Sequence, residues 1–155
     1  MKITASTKHL GAAIKAVLPA VPAHPGLPLL TGVRLDGSEA APALETTDLE
    51  LSIRLLLGER VSVQRPGSAV VPAKALSKAM QAVQSPEVEL EAVSETGRVR
   101  LHVHAGNPTV TLDGFPPEDW PAMPESSEFS DAATAEGSVA RPPQGPPRPS
   151  TARRR

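Results

Sequence analysis

Two hydrophobic periods alternate along this chain. Leu10, Ile14, Val17 and Leu18 recur at helical spacing, and Pro19 ends the run. Ser6 or Thr7 stands where a hydroxyl can accept a hydrogen bond from a free first-turn N–H. Leu76, Met80 and Val83 form a second helical stripe, opened by Pro72, whose missing N–H costs little at that end. Elsewhere the period is two. Lys2–Ala5 reads as a short strand, and Leu29–Leu35 as another that ends at the turn Asp36-Gly37-Ser38. Ala43–Thr47 follows. Leu49, Leu51, Ile53, Leu55 and Leu57 then alternate with Glu50, Ser52 and Arg54, which predicts one half-buried antiparallel strand over 49–57. Val61 and Val63 continue the alternation, and Ser68–Val71 is short and apolar. Val88, Leu90 and Ala92 alternate with Glu87, Glu89 and Glu91. After a turn at Thr96-Gly97, Val99, Leu101 and Val103 alternate with Arg98, Arg100, His102 and His104. Thr109–Leu112 is the last predicted strand. Pro19, Pro22, Pro25 and Pro28, with Gly26, make a rigid connector between the first helix and the first sheet.

This order of elements predicts an α+β fold: two short helices packed on antiparallel sheets with hairpin-length connections. The length of 155 residues suits one domain with a single core. Phe115, Phe129 and Trp120 are the only aromatic residues, so that core has to be aliphatic. Cysteine is absent, which removes disulfides and thiolate metal sites. No apolar run reaches signal-peptide or transmembrane proportions, so the expected location is cytoplasmic, with no membrane partner. From about Ser126 the composition changes, and residues 141–149 carry five prolines. Such a segment buries too little apolar surface to offset its ordering entropy, so 1–125 is expected as the folded domain and 126–155 as a disordered Pro/Arg-rich tail.

Charge changes the picture locally. Residues 1–125 carry 11 Lys and Arg against 14 Asp and Glu, while residues 126–155 carry 5 against 3. Bulk charge therefore argues against a polyanionic partner. The two helices argue the other way: residues 7–18 hold Lys8 and Lys15 and no acid, and residues 73–83 hold Lys74 and Lys78 and no acid. Seven and four residues apart, each pair shares a helix face. A basic helix pair on an acidic body suits a protein that holds a polyanion against one surface; the competing reading is an ordinary solvated face. Asp48 and Glu50 lack the acceptor pocket that paired catalytic carboxylates need, and Asp48 reads as a turn residue that accepts backbone N–H bonds. His102 and His104 share a strand face, but the spacing offers no third ligand, so no metal is expected. No nucleophile elbow and no phosphate-binding glycine loop occurs, and neither catalytic residues nor cofactors are expected.

Five segments in fixed order add a further clue: Met1-Lys2-Ile3-Thr4, His24-Pro25-Gly26-Leu27-Pro28-Leu29-Leu30, Thr46-Thr47-Asp48-Leu49-Glu50-Leu51-Ser52-Ile53, Val70-Val71-Pro72-Ala73-Lys74-Ala75-Leu76, and Phe115-Pro116-Pro117-Glu118-Asp119-Trp120-Pro121. In order and spacing they make residues 1–125 resemble the N-terminal domain of the bacterial sliding clamp, the beta subunit of DNA polymerase III. The resemblance implies a clamp-type fold of two helices on curved antiparallel sheets. It implies helices that line a DNA-filled hole, with Lys8, Lys15, Lys74 and Lys78 as DNA-contacting residues. His24 stands where the family typically places a DNA-touching arginine, and a neutral imidazole is a poorer phosphate partner than a guanidinium. Val110 and Leu112 match an apolar pair that meets a partner subunit. The family's chain has three such domains, and two chains close a ring. The resemblance thus implies a non-catalytic, DNA-binding processivity domain of replication, in a truncated form unable to close a ring alone. Its partners would be double-stranded DNA, bound weakly and without sequence preference, and a full-length clamp subunit or a second copy of the chain. The alternative reading is a non-DNA interaction module, or a non-functional relic that keeps the fold.

Overall fold

The computed structural model describes residues 1–38, 41–95, 97–106 and 109–122. The chain runs β1 (Lys2–Ser6), α1 (Thr7–Val17), β2 (Gly32–Asp36), β3 (Ala43–Thr47), β4 (Ser52–Leu56), β5 (Val61–Arg65), β6 (Ser68–Pro72), α2 (Ala73–Ala82), β7 (Glu87–Glu95), β8 (Arg98–His104) and β9 (Val110–Gly114). Short 3-10 turns occupy Leu18–Ala20, Pro28–Thr31, Gly58–Arg60 and Pro117–Asp119. The expected α+β class, with two helices on antiparallel sheets, is what the structure shows. The expected tail at 126–155 lies outside the described residues.

Five strands form one sheet in the order β5-β1-β7-β8-β9, and four form a second in the order β4-β3-β2-β6. Every pairing is antiparallel. The two halves of the chain exchange strands. β1 lies beside β7 from the second half, with Ile3 opposite Leu90, and β6 lies beside β2 from the first half, with Val33 opposite Val71. The sheets meet where Phe115 N–H donates to the Val70 carbonyl at 2.8 Å. Gly114 makes that approach possible, because a Cβ there would collide with the Val70 carbonyl oxygen.

Both helices cover the sheets from one side. Leu10, Ala13, Ile14 and Val17 of α1 are buried, as are Ala73, Leu76, Ala79 and Met80 of α2. The strands contribute Ile3, Val33, Leu35, Leu44, Leu90, Leu101 and Val103, so the core is aliphatic as the composition predicts. At roughly 1.5–3 kcal/mol per fully buried Leu, Ile or Val side chain, this packing dominates the stability of so short a pair of helices. On the far face of the four-stranded sheet, Glu45 is buried. It accepts from Arg34 at 2.8 Å and faces Arg54 at 3.4 Å, which compensates the buried carboxylate.

Three local expectations change. The stretch Leu29–Leu35 does not run as one strand: Pro28–Thr31 coils into a 3-10 turn, and β2 starts at Gly32. Pro28 opens that turn at a position where its fixed φ fits and no N–H is needed. The strand expected over 49–57 is only Ser52–Leu56, and Leu49 and Leu51 are 62% and 50% exposed. Asp48 is the cause. Its Oδ1 accepts from the Glu50 N–H at 3.0 Å and the Leu51 N–H at 2.6 Å, which forces Leu49 to a φ of 79° and breaks the strand phase. Finally, neither Ser6 nor Thr7 caps α1 through its side chain. The Thr7 N–H donates instead to the Pro86 carbonyl at 2.9 Å, because pairing of Ser6 with Glu87 brings that carbonyl to the helix start.

Candidate nucleic-acid interface

Helices α1 and α2 pack against each other on the side of the sheets that carries the core. Their apolar stripes point into the sheets, so the opposite stripe of each helix faces solvent. Lys8 and Lys15 of α1 and Lys74 and Lys78 of α2 are all exposed. Between the helices runs a shallow groove of ≈ 350 Å³, lined by Thr7, Lys8, Gly11, Ala12 and Lys15 from α1 and Ser77, Met80 and Gln81 from α2. Gly11 and Ala12 keep the α1 wall low; a Cβ on Gly11 would touch nothing within 4 Å. Lys8 and Lys15 flank the groove directly, whereas Lys74 and Lys78 project from α2 outside it. None of the four makes an ion pair among the described residues. Lys15 lies in the last turn of α1, where its charge also favours the helix dipole. The arrangement presents a row of uncommitted ammonium groups with no carboxylate on either helix, a surface suited to phosphates without recognition of their order.

His24 is exposed in the proline-rich connector and makes no hydrogen bond or ion pair among the described residues. The acidic residues lie elsewhere. Glu89 pairs with Lys2 at 3.0 Å and Glu91 with Arg65 at 3.0 Å, on the outer face of the five-stranded sheet. His102 and His104 stand on that same face, their Nδ1 atoms bonded to Thr111 Oγ1 at 3.0 Å and Thr109 Oγ1 at 3.1 Å. Pairing across the sheet supplies partners that spacing along the chain does not: donor atoms of Glu89, Glu91 and His104 lie within 4.8 Å of one another. Lys2 and Arg65 already neutralise both carboxylates, and the cluster is an ion-pair ladder. Asp48 is the turn residue that its position predicts. Backbone N–H groups of Leu51 and Glu50 hold its carboxyl below the usual carboxylate range.

Val110 and Leu112 lie on β9, one of the two outer strands of the five-stranded sheet. They face the core side, opposite Val103 and Leu101, and are partly buried against it. Sequence reading found this pair only through resemblance. It missed β4, an outer strand of the four-stranded sheet, whose status as an edge depends on strand order and not on any local pattern.

Two sheets of antiparallel strands under a pair of exposed basic helices define a clamp-type α+β domain. The chain belongs to the family described as DNA polymerase III beta subunit, N-terminal domain, whose model matches residues 1–124. It is 28% identical over 136 residues to the beta sliding clamp of Streptomyces coelicolor, covering 88% of this chain and 35% of that protein. It is 25% identical over 134 residues to the beta sliding clamp of Bacillus subtilis, covering 83% and 35%. The fold is similar to the crystal structure of the DNA polymerase sliding clamp from Bacillus subtilis, with a TM-score of 0.76 at 24% identity over 84% of this chain and 35% of that one. It is also similar to the Thermotoga maritima DNA polymerase III beta subunit, with a TM-score of 0.69 at 20% identity. The chain thus spans about a third of the length of the relatives it matches. Among the described residues no helix is long and apolar enough to cross a membrane.

Proposed function

We propose that this chain is a DNA-contacting clamp domain of the replication machinery, with no catalytic role, working in the cytoplasm. The observation that carries the reading is the helix pair: four exposed lysines without ion-pair partners among the described residues, on two acid-free helices, in a chain whose net charge is -1. A protein that needed these lysines only for solubility has no reason to segregate them from acids on one face. Lys8, Lys15, Lys74 and Lys78 would sit on duplex phosphates, and exposed His24 would lie at the border of that surface. Val110 and Leu112 would make β9 the docking edge for another clamp subunit.

The test is binding of a short labelled duplex followed by anisotropy across a salt series. Four phosphate contacts give a slope of log K against log salt of roughly -3 to -4, with no dependence on base sequence. Replacing Lys8, Lys15, Lys74 and Lys78 together by Ala should abolish binding, and each single replacement should lower the slope by about one. Deleting residues 126–155 should leave binding intact. Binding that survives the fourfold replacement, or that disappears only with residues 126–155, would overturn the reading and favour an interaction module working through the arginine-rich segment.

A further inference from the structure

On the outer face of the five-stranded sheet, strand pairing assembles side chains that neither the helix surface nor the aliphatic core uses. His102 and His104, two of the chain's four histidines, are two residues apart on β8 and so share this face. Their rings stack, with centroids 6.0 Å apart and planes 29° from parallel. Glu91 of β7 is directly opposite His102 and diagonal to His104. Its Oε2 lies 3.9 Å from His104 Nε2. All three side chains are half-buried, so an ion in solution reaches them.

The surrounding contacts set these groups up as ligands. Thr111 and Thr109, on the β9 side, hold Nδ1 of His102 and of His104 at 3.0 Å and 3.1 Å. A ring that donates its Nδ1–H to a hydroxyl keeps the lone pair on Nε2, and an outer hydrogen bond of this kind commonly orients a metal-bound imidazole. Held from the β9 side, both rings turn Nε2 toward β7, where Glu91 stands. Arg65 takes Oε1 of Glu91 at 3.0 Å, which leaves Oε2 to the imidazoles. The ion-pair ladder and the ligand set thus share Glu91 without competing for one oxygen. Lys2 holds Glu89 Oε1 at 3.0 Å, and Arg100, two residues before His102, faces Asp113 at 3.7 Å.

We propose that His102, His104 and Glu91 bind a divalent transition-metal ion of the zinc class, with water at the fourth position. Two imidazoles and one carboxylate are a set that zinc takes, at about 2.0–2.2 Å from each donor. Tetrahedral ligands at that distance lie about 3.3–3.6 Å apart, so His104 Nε2 and Glu91 Oε2, at 3.9 Å, have only a small gap to close. Spacing along β8 supplies the imidazoles, and pairing with β7 supplies the carboxylate. Imidazole suits zinc, copper and nickel, whereas magnesium and calcium prefer oxygen ligands. The ion would fasten β7 to β8 on the face away from the helices, so the inference stands apart from the DNA-contacting reading.

Calorimetric titration of the full, untagged chain with zinc ion tests this. One ion should bind per chain, and the thermal midpoint should rise with zinc, because a ligand held only by the folded state stabilises it. His102→Gln, His104→Gln and Glu91→Gln should each weaken binding at least about tenfold and remove the rise in midpoint. Thr111→Val deletes only the outer hydrogen bond to His102 and should weaken binding about tenfold. Thr111 is exposed, so this variant carries the test if circular dichroism shows that a ligand variant has not folded. His9→Gln, on α1, should leave the affinity for zinc unchanged. No zinc binding by the parent chain, binding unchanged in His102→Gln or in His104→Gln, or a ratio of one zinc to two chains would overturn the proposal. Duplex binding is measured separately and decides nothing about this site.

Discussion

Asp48 turns the chain at a point where the hydrophobic alternation runs on without a break. Its carboxylate accepts two backbone N–H bonds, and its folded pKa is lowered, chiefly by the bond from Leu51 and then by that from Glu50. A carboxyl whose folded pKa lies below its unfolded value stabilises fully above the unfolded value of 3.8, and that stabilisation is lost as pH falls through the folded value. Asp48→Asn keeps an acceptor oxygen and removes the charge. Its urea midpoint should therefore be slightly below that of the parent at pH 7 and should fall less steeply in acid. Asp48→Ala, which loses both bonds, should lower the midpoint at pH 7 more than Asp48→Asn does. Equal acid limbs for the parent and Asp48→Asn would show that Asp48 contributes nothing to acid sensitivity. Leu49 and Leu51 were illegible for the same reason. Their spacing is in phase with Ile53 and Leu55, and the side-chain bonds of Asp48, with that of Thr47 to the Leu49 N–H, take them out of the strand. The four lysines were legible, because helical spacing alone puts each pair on one face.

Among the elements, β7 and β8 follow the sequence pattern closely. Val88, Leu90, Ala92, Val99, Leu101 and Val103 are all buried, and the Glu, Arg and His residues between them are on the other face. That hairpin is short-range, so local alternation determines it. The segment Pro28–Thr31 fails for the opposite reason: its leucines are apolar enough for a strand, but Pro28 fixes a turn geometry before β2 begins. β9 is a case between the two. Its strand character is visible in the chain, whereas its contact with β6 comes from distant sequence. Gly114 is the residue on which that contact depends, because Val70 leaves no room for a side chain there. Gly114→Ala should force the two strands apart and cost about 1–3 kcal/mol, read as a lower unfolding midpoint. An unchanged midpoint would mean that the junction of the sheets yields without strain.

For the whole molecule, class and layer order follow from the alternation of periods, while the sharing of strands between sheets does not. β1 is made first and finds β7 only after most of the chain has been passed, and β6 of the second half completes the sheet of the first. Contacts so remote in sequence require large loops to close before they are rewarded, so folding should be slow compared with a helical protein of this size. They also bear on what happens when the backbone is cut. Gly58–Arg60 is an exposed turn between the two halves. A break there leaves each piece without a strand that the other holds. Residues 1–58 and 59–155, made separately, should each be unstructured by circular dichroism and should recover the β signal on mixing; a structured fragment on its own would refute this. The exchanged strands thus act as a mutual lock: a severed molecule stays together as long as both pieces remain folded, and partial unfolding of either one releases both.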